Sequence, residues 1–237
     1  PNEIMHEYHT TEFIGHFHSH VLGLPYLSTT DRVNYDQVLQ LCDPMVKAMS
    51  KQGLPTVMGI DQGSKLHCVI LSTDQPCRVI NIFELSSFED VDTLIRDFNV
   101  QSFVIDALPE TRKARELVDR HNRKGWLCFY NDHQKGSYSW KEDERLVSVN
   151  RTESLDAGTD ALLKAGILLP QRTPEIEVFA RHCSNTAKIV EEDDVTGSKR
   201  FIYKKLGPDH YRHALNYAQI AGSNIDNRTV DLRVLVR

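Results

Sequence analysis

Two aspartates in this sequence stand where apolar runs break off. Asp61 closes VMGI and is followed by Gln62 and Gly63, and Asp106 closes SFVI. A side chain at the end of a buried strand leaves the sheet where open α/β sheets hold ligands, beyond the carboxyl ends of the strands. If the two strands are parallel neighbours, about 4.8 Å apart, these carboxylates converge. They then repel unless one holds a proton or a divalent cation sits between them, and oxygen ligands of this kind suit Mg²⁺ or Mn²⁺. A third acid lies in GPDHYRHALNYA, where Pro208 fits a first helical turn and Asp209 stands beside the positive end of the helix dipole. Three carboxylates from two strand ends and one helix start can hold two divalent ions about 3.5 to 4 Å apart, the arrangement that directs water in line at a phosphodiester. Singly, each aspartate is also explained as a turn residue or a helix-start charge. The combination carries the reading.

The elements that must position these groups follow from the apolar spacing. From Thr56, short apolar runs separated by turn residues predict the strands VMGID, LHCVILS and CRVINIF, and the connectors QGS and TDQP are short enough for an antiparallel meander. Next come a helix over Phe88 to Phe98, the strand SFVID, a helix from Pro109 to about Arg123 and the strand WLCFY, with Gly125 expected to end the second helix. Strand, helix and strand in that compass make a βαβ unit, so SFVID and WLCFY are expected to be parallel neighbours. A short strand over Leu146 to Asn150 follows, with helices over Glu153 to Lys164 and Pro174 to His182. The segment TAKIVEEDDVTGSKRFIYKK reads as a hairpin with VTGS near its tip, and a last helix spans Pro208 to about Ala221. In that helix Tyr211, Leu215 and Ala218 would pack on the sheet, leaving Asp209, His213 and Asn216 along a second stripe. The expected class is a mixed α/β sheet flanked by helices. Upstream, Phe13, Ile14, Phe17 and Val21 fit one helix and Asn34 to Met49 another. Residues 1–55 therefore read as a lead-in, 56–223 as the sheet domain and 224–237 as a tail.

Nucleic acid would need local positive charge, because 28 Lys and Arg against 33 Asp and Glu leave the chain at −5. Lys199, Arg200, Lys204 and Lys205 lead directly into Asp209, and strand alternation would present phosphate contacts from either face. A lysine-protected edge strand is the other reading of that run. His16, His18 and His20 would line one face of a strand as zinc ligands, but the surrounding apolar spacing says helix, where His18 points elsewhere. Glu191, Glu192, Asp193 and Asp194 lack the spacing of a calcium loop. GIDQGSK is not a phosphate loop, since Ser64 takes the second glycine position and Leu66 follows the lysine, so ATP hydrolysis is not expected.

Five cysteines without C-x-x-C spacing fit neither a disulfide framework nor a thiolate zinc site, which points to a reducing compartment. No apolar run approaches the roughly 18 residues of a membrane span, and the N-terminus lacks a signal-peptide pattern. The chain begins at Pro1 rather than methionine, so an excised piece of a longer polypeptide is expected.

G-I-D-x-G alone also opens sugar-kinase and actin-like ATPase folds and Holliday-junction resolvases. Taken together, HVLGLPYLSTTDR, VMGIDQGSKLHCVIL, SFVIDALPETRKARELVDRH, NRTESLDAGTDALLKAGILLP and GPDHYRHALNYA resemble, in order from about Phe13 to Ala221, the C-terminal nuclease domain of tailed-bacteriophage large terminases. The resemblance implies a ribonuclease-H-like fold and a metal-dependent endonuclease that cuts concatemeric double-stranded viral DNA, with two divalent ions, Mg²⁺ or Mn²⁺. It implies Asp61, Asp106 and Asp209 as metal-binding acids and Arg151 as a further residue facing DNA. Many members carry another acid beside the third one. Here that position is His210; it or His213 is a candidate accessory ligand or proton carrier, and an exposed or packed histidine is the other reading. The resemblance also implies a packaging ATPase domain upstream, the portal and the small terminase subunit as partners, and the host bacterial cytoplasm as location. A non-catalytic module that docks DNA or the portal on the same fold is the alternative.

Overall fold

The computed structural model describes residues 32–235 except positions 122, 135–137, 193–196 and 198, with side chains described to position 225. The expected helix around Phe13, the three histidines at 16, 18 and 20, and most of the VTGS tip lie outside the described residues.

The centre is an eight-stranded sheet. β1 (Thr56–Gln62), β2 (Leu66–Ser72) and β3 (Cys77–Leu85) form the expected antiparallel meander. β4 (Val100–Asp106), β5 (Gly125–Tyr130) and β7 (Leu146–Val149) extend it as parallel strands beyond β1, and β6 (Ser139–Lys141) and β8 (Ile167–Leu168) close the edges in the order β6-β7-β5-β4-β1-β2-β3-β8. β9 (Thr186–Glu192) and β10 (Lys199–Lys205) form a separate antiparallel hairpin. The helices are α1 (Tyr35–Leu39), α2 (Phe88–Asp97), α3 (Thr111–Arg120), α4 (Arg151–Leu163), α5 (Pro174–Ser184) and α6 (His210–Leu235).

β1 and β2 are buried along their whole length, as central strands covered on both faces must be. Alternation sorts them into two cores. Val57, Val69, Leu71, Val104, Trp126 and Cys128 pack with α5 and α6, whereas Met58, Ile60, Ile70, Phe103, Ile105 and Leu127 pack with α2 and α3. Gly59 lies in the first set, and a Cβ there would overlap the carbonyl oxygen of Ala214 and the amide of Ala218. The α6 backbone thus crosses β1 in direct contact, which only glycine permits.

Several boundaries differ from expectation for local reasons. The helix predicted over Asn34 to Met49 stops at Leu39, since Pro44 cannot continue it and Cys42 instead bridges Leu169. Pro109 precedes α3 rather than opening it, because the Asp106 carboxylate accepts the Leu108 N–H and the chain turns before Thr111. Gly125 opens β5 instead of ending α3; a Cβ there would strike the Phe103 ring. Asp209 sits just outside α6, its carbonyl accepting from the Arg212 and His213 amides, so Pro208 also lies before the helix. α6 passes Ala221 to reach Leu235. Val33 and Val38, upstream of β1, are buried in the core with residues of α5 and α6.

Candidate metal centre

One cross-strand row organises the site. Asp61 pairs with His67 on β2, and His67 with Glu84 on β3; on the other side Ile60 pairs with Ile105, which brings Asp106 beside Asp61 at the ends of two parallel strands. The side chains of Asp61, His67, Glu84 and Asp106 share the α6 face by alternation with Gly59, Val69, Ile82 and Val104, whereas Ile60 and Ile105 face the other core. Gln62 fastens the strand ends together, its side-chain amide donating to the Asp106 carbonyl at 2.7 Å.

The start of α6 lies over this row and carries polar residues to it. His210 Nδ1 donates to Asp61 Oδ2 at 2.8 Å. The His210 ring stacks on His67 with centroids 4.5 Å apart and planes 13° off parallel, and His182 from α5 stands 5.8 and 5.9 Å from the two rings. The hydrogen bond to Asp61 raises the His210 pKa against the opposing effect of burial. Burial, then the neighbouring His210 and His182, lowers His67 to about 4. Burial and His210 lower His182 as well, and its Nδ1 accepts the Tyr211 N–H. Two neutral imidazoles and one held to a carboxylate therefore share a few ångströms at pH 7.

Asp209 is organised differently. Lys205 Nζ donates to one carboxylate oxygen at 2.8 Å and His213 Nε2 faces the other at 3.4 Å. Burial would raise this carboxyl, but hydrogen bonds from His213 and Lys205, and their charges, hold it down to about 2. His213 Nδ1 lies 3.0 Å from the Tyr130 hydroxyl, which accepts from Asn216, and Asn216 also donates to Ser154 Oγ. Asp106 is pushed up by burial and by the Asp61 charge, against the Leu108 amide, Tyr217 and His213.

No protein-family model matches the sequence, and the comparison with curated proteins found no match. Among solved structures, the large terminase nuclease from thermophilic phage G20c with bound magnesium matches over 78% of this chain and 95% of that one, with 11% identity and a TM-score of 0.50. The fold is that of a terminase nuclease. A second structure of the same phage protein matches over 78% and 96% of the two chains, with 12% identity and a TM-score of 0.48. The large terminase of another thermophilic bacteriophage matches over 93% of this chain and 51% of that one, with 13% identity and a TM-score of 0.48, so the chain spans about half its length.

On this terminase-nuclease fold the expected residues divide. Asp61 and Asp106 end neighbouring parallel strands as anticipated. The compact group whose ligand atoms all lie within 4.8 Å of one another, among the described residues, is Asp61, His67 and His210. His67 and His182 were not anticipated. The signal for His67 was available in LHCVILS, because a three-residue turn after Gln62 sets His67 opposite Asp61; His182 comes from a distant helix and left no such mark.

The cations expected to meet DNA are partly engaged. Lys199 pairs with Glu192 at 3.6 Å, Arg200 with Glu191 at 2.6 Å and Lys205 with Asp209, while Arg151 donates to the Tyr203 carbonyl at 3.0 Å and Lys204 is exposed. The hairpin does not offer both faces to solvent: Tyr203 is buried against α4, bonded to Asp156 and Thr159. A phenol with two polar partners on α4 draws that face inward. No helix among the described residues is long and apolar enough to cross a membrane.

Proposed function

We propose that the protein is the nuclease domain of a viral genome-packaging terminase, a metal-dependent endonuclease that hydrolyses phosphodiesters of concatemeric double-stranded DNA. The observation that carries this reading is the pair Asp61 and Asp106 at adjacent parallel strand ends beneath the start of α6, on a fold shared with a magnesium-bound terminase nuclease. The donor set suits divalent cations, since burial and the Asp61 charge already work against ionised Asp106 and a cation would reverse that penalty.

Asp61, Asp106 and Asp209 would hold two ions, Mg²⁺ or Mn²⁺, whose chemistry is to activate water and stabilise the departing oxygen. His213, between Asp209 and Tyr130, keeps the Asp209 carboxylate oriented and ionised. Gln62 fixes the spacing of the two strand ends. Lys204, with Lys199, Arg200, Lys205 and Arg151, would meet backbone phosphates, which position a duplex without reading its sequence. An ATPase domain on the same polypeptide, the portal and the small terminase subunit are the partners that this reading entails, in a host bacterial cytoplasm.

The test is nicking and linearisation of supercoiled plasmid with Mn²⁺, Mg²⁺ or EDTA, beside Asp61→Asn. Metal-dependent cleavage that drops by roughly 100-fold or more in the variant, with an unchanged circular dichroism spectrum, is expected. DNA binding that survives EDTA with no cleavage under either metal would replace the nuclease with a docking module.

A further inference from the structure

We propose that Asp61, His67 and His210 form a nitrogen-rich site for a divalent transition-metal ion such as Zn²⁺ or Co²⁺, chemically distinct from an all-carboxylate magnesium site. The inference shares Asp61 with the proposed nuclease but does not require that the protein cut DNA.

Two observations converge on these residues. Their ligand atoms lie within 4.8 Å of one another. A tetrahedral ion that holds its ligands at about 2.1 Å sets them about 3.4 Å apart, so rotamer adjustments that close the widest pair by about an ångström complete the site. His67 Nδ1 is buried and has no hydrogen-bond partner among the described residues, on a residue only 6% exposed. A buried imidazole nitrogen left unpaired is costly and calls for a partner.

The surroundings assign the roles. Glu84 Oε2 faces His67 Nε2 at 3.6 Å, so the outer nitrogen has a carboxylate beside it and Nδ1 is left as the donor lone pair. Carboxylates placed behind a histidine in this way orient metal-bound imidazoles. His210 is held at the same place from above by its 2.8 Å bond to Asp61 and its stacking on His67. His182 already accepts the Tyr211 N–H through Nδ1, and so flanks the site. One carboxylate oxygen and two imidazole nitrogens favour borderline metals, whereas Mg²⁺ prefers oxygen and sheds water reluctantly.

The experiment is titration of the whole chain with Co²⁺, Zn²⁺ and Mg²⁺ by calorimetry, with the Co²⁺ visible spectrum as a readout independent of activity. Co²⁺ and Zn²⁺ should bind at least tenfold more tightly than Mg²⁺, and His67→Gln should lose roughly 100-fold in Co²⁺ affinity together with the visible bands. Tyr203→Phe, on the hairpin away from the β1–β2 ladder, should keep both. If His67→Gln does not fold, ring-nitrogen NMR of the wild type replaces it, with Zn²⁺ expected to shift the His67 and His210 signals. Equal affinity for Mg²⁺ and Co²⁺, unchanged Co²⁺ affinity in the variant, or unshifted ring signals would overturn the proposal. Cleavage failing while Co²⁺ still binds through His67 would reject the nuclease alone.

Discussion

The two halves of the site, one residue apart at the start of α6, solve the problem of a buried carboxylate in opposite ways. Asp209 has both oxygens engaged, by Lys205 and by His213. Asp61 meets histidines instead, and one buried imidazole nitrogen of His67 has no partner among the described residues. The difference comes from what the neighbouring elements deliver. β2 supplies His67 across the ladder from Asp61, whereas the hairpin ends in Lys205 four residues before Asp209. One half is built to gain a cation and the other already contains one. Metal binding at Asp209 would therefore compete with an intramolecular ammonium, and the position of the hairpin would bear on it.

The strongest way to break the comparison is to remove what holds both halves in register. Gly59→Ala places a methyl against the backbone of Ala214 and Ala218, where no flexible side chain can give way. Pushing α6 off β1 is expected to cost about 3 kcal/mol, measured as a fall in the urea midpoint, and to separate His210 from Asp61 and Asp209 from the sheet together. A loss below about 1 kcal/mol would show that α6 can shift without strain.

The next test isolates the self-neutralised half. Asp209 titrates near 2 in the folded protein against 3.8 as its ordinary value. Its folded-state pKa is depressed, so its contribution is complete above about pH 4 and disappears as pH falls through about 2. The shift corresponds to about 2 kcal/mol. Urea unfolding at pH 5 and pH 2.5 should show a smaller acid loss in Asp209→Asn than in the wild type. Identical pH dependence would mean that Lys205 and His213 do not act on this carboxyl.

Which parts of this arrangement the residues disclosed in advance follows from how local each cause is. The meander, the parallel pairing of β4 with β5, and Asp61 and Asp106 at strand ends depend on short connectors and period-two alternation, so they could be read directly. The same alternation makes His67 readable once its turn is counted. The approach of His182 and the burial of Tyr203 against α4 join segments far apart in the chain, and no spacing encodes them. Gly59 was visible as part of G-I-D, but its reason, direct contact with a helix more than 150 positions later, needed the tertiary structure. Gly125 was misread for the same reason, as a helix stop rather than as room for Phe103.

Replacing Lys205 sharpens the comparison from the metal side. Lys205→Met removes the ammonium from Asp209 and should tighten Mg²⁺ or Mn²⁺ binding by roughly threefold to tenfold in calorimetry, as expected for deleting one competing, half-exposed charge. Lys204→Met, altering an exposed neighbour, should leave that affinity unchanged while flattening the salt dependence of DNA binding. Equal effects of the two variants on metal affinity would reduce Lys205 to a contributor to the general field.

The smallest expected effect concerns how the hairpin is anchored. The Tyr203 hydroxyl donates to Asp156 at 2.9 Å and lies 3.0 Å from Thr159, and Lys188 on the partner strand also pairs with Asp156. Tyr203→Phe keeps the ring packing but removes these bonds, and should cost about 1 kcal/mol in urea unfolding. Because this anchor lies on α4, away from the β1–β2 ladder that carries Asp61 and His67, Co²⁺ affinity at the histidine half should not move. A change in Mg²⁺ affinity alone would instead mean that hairpin mobility reaches Asp209 through Lys205, which ties the two halves to one movable element.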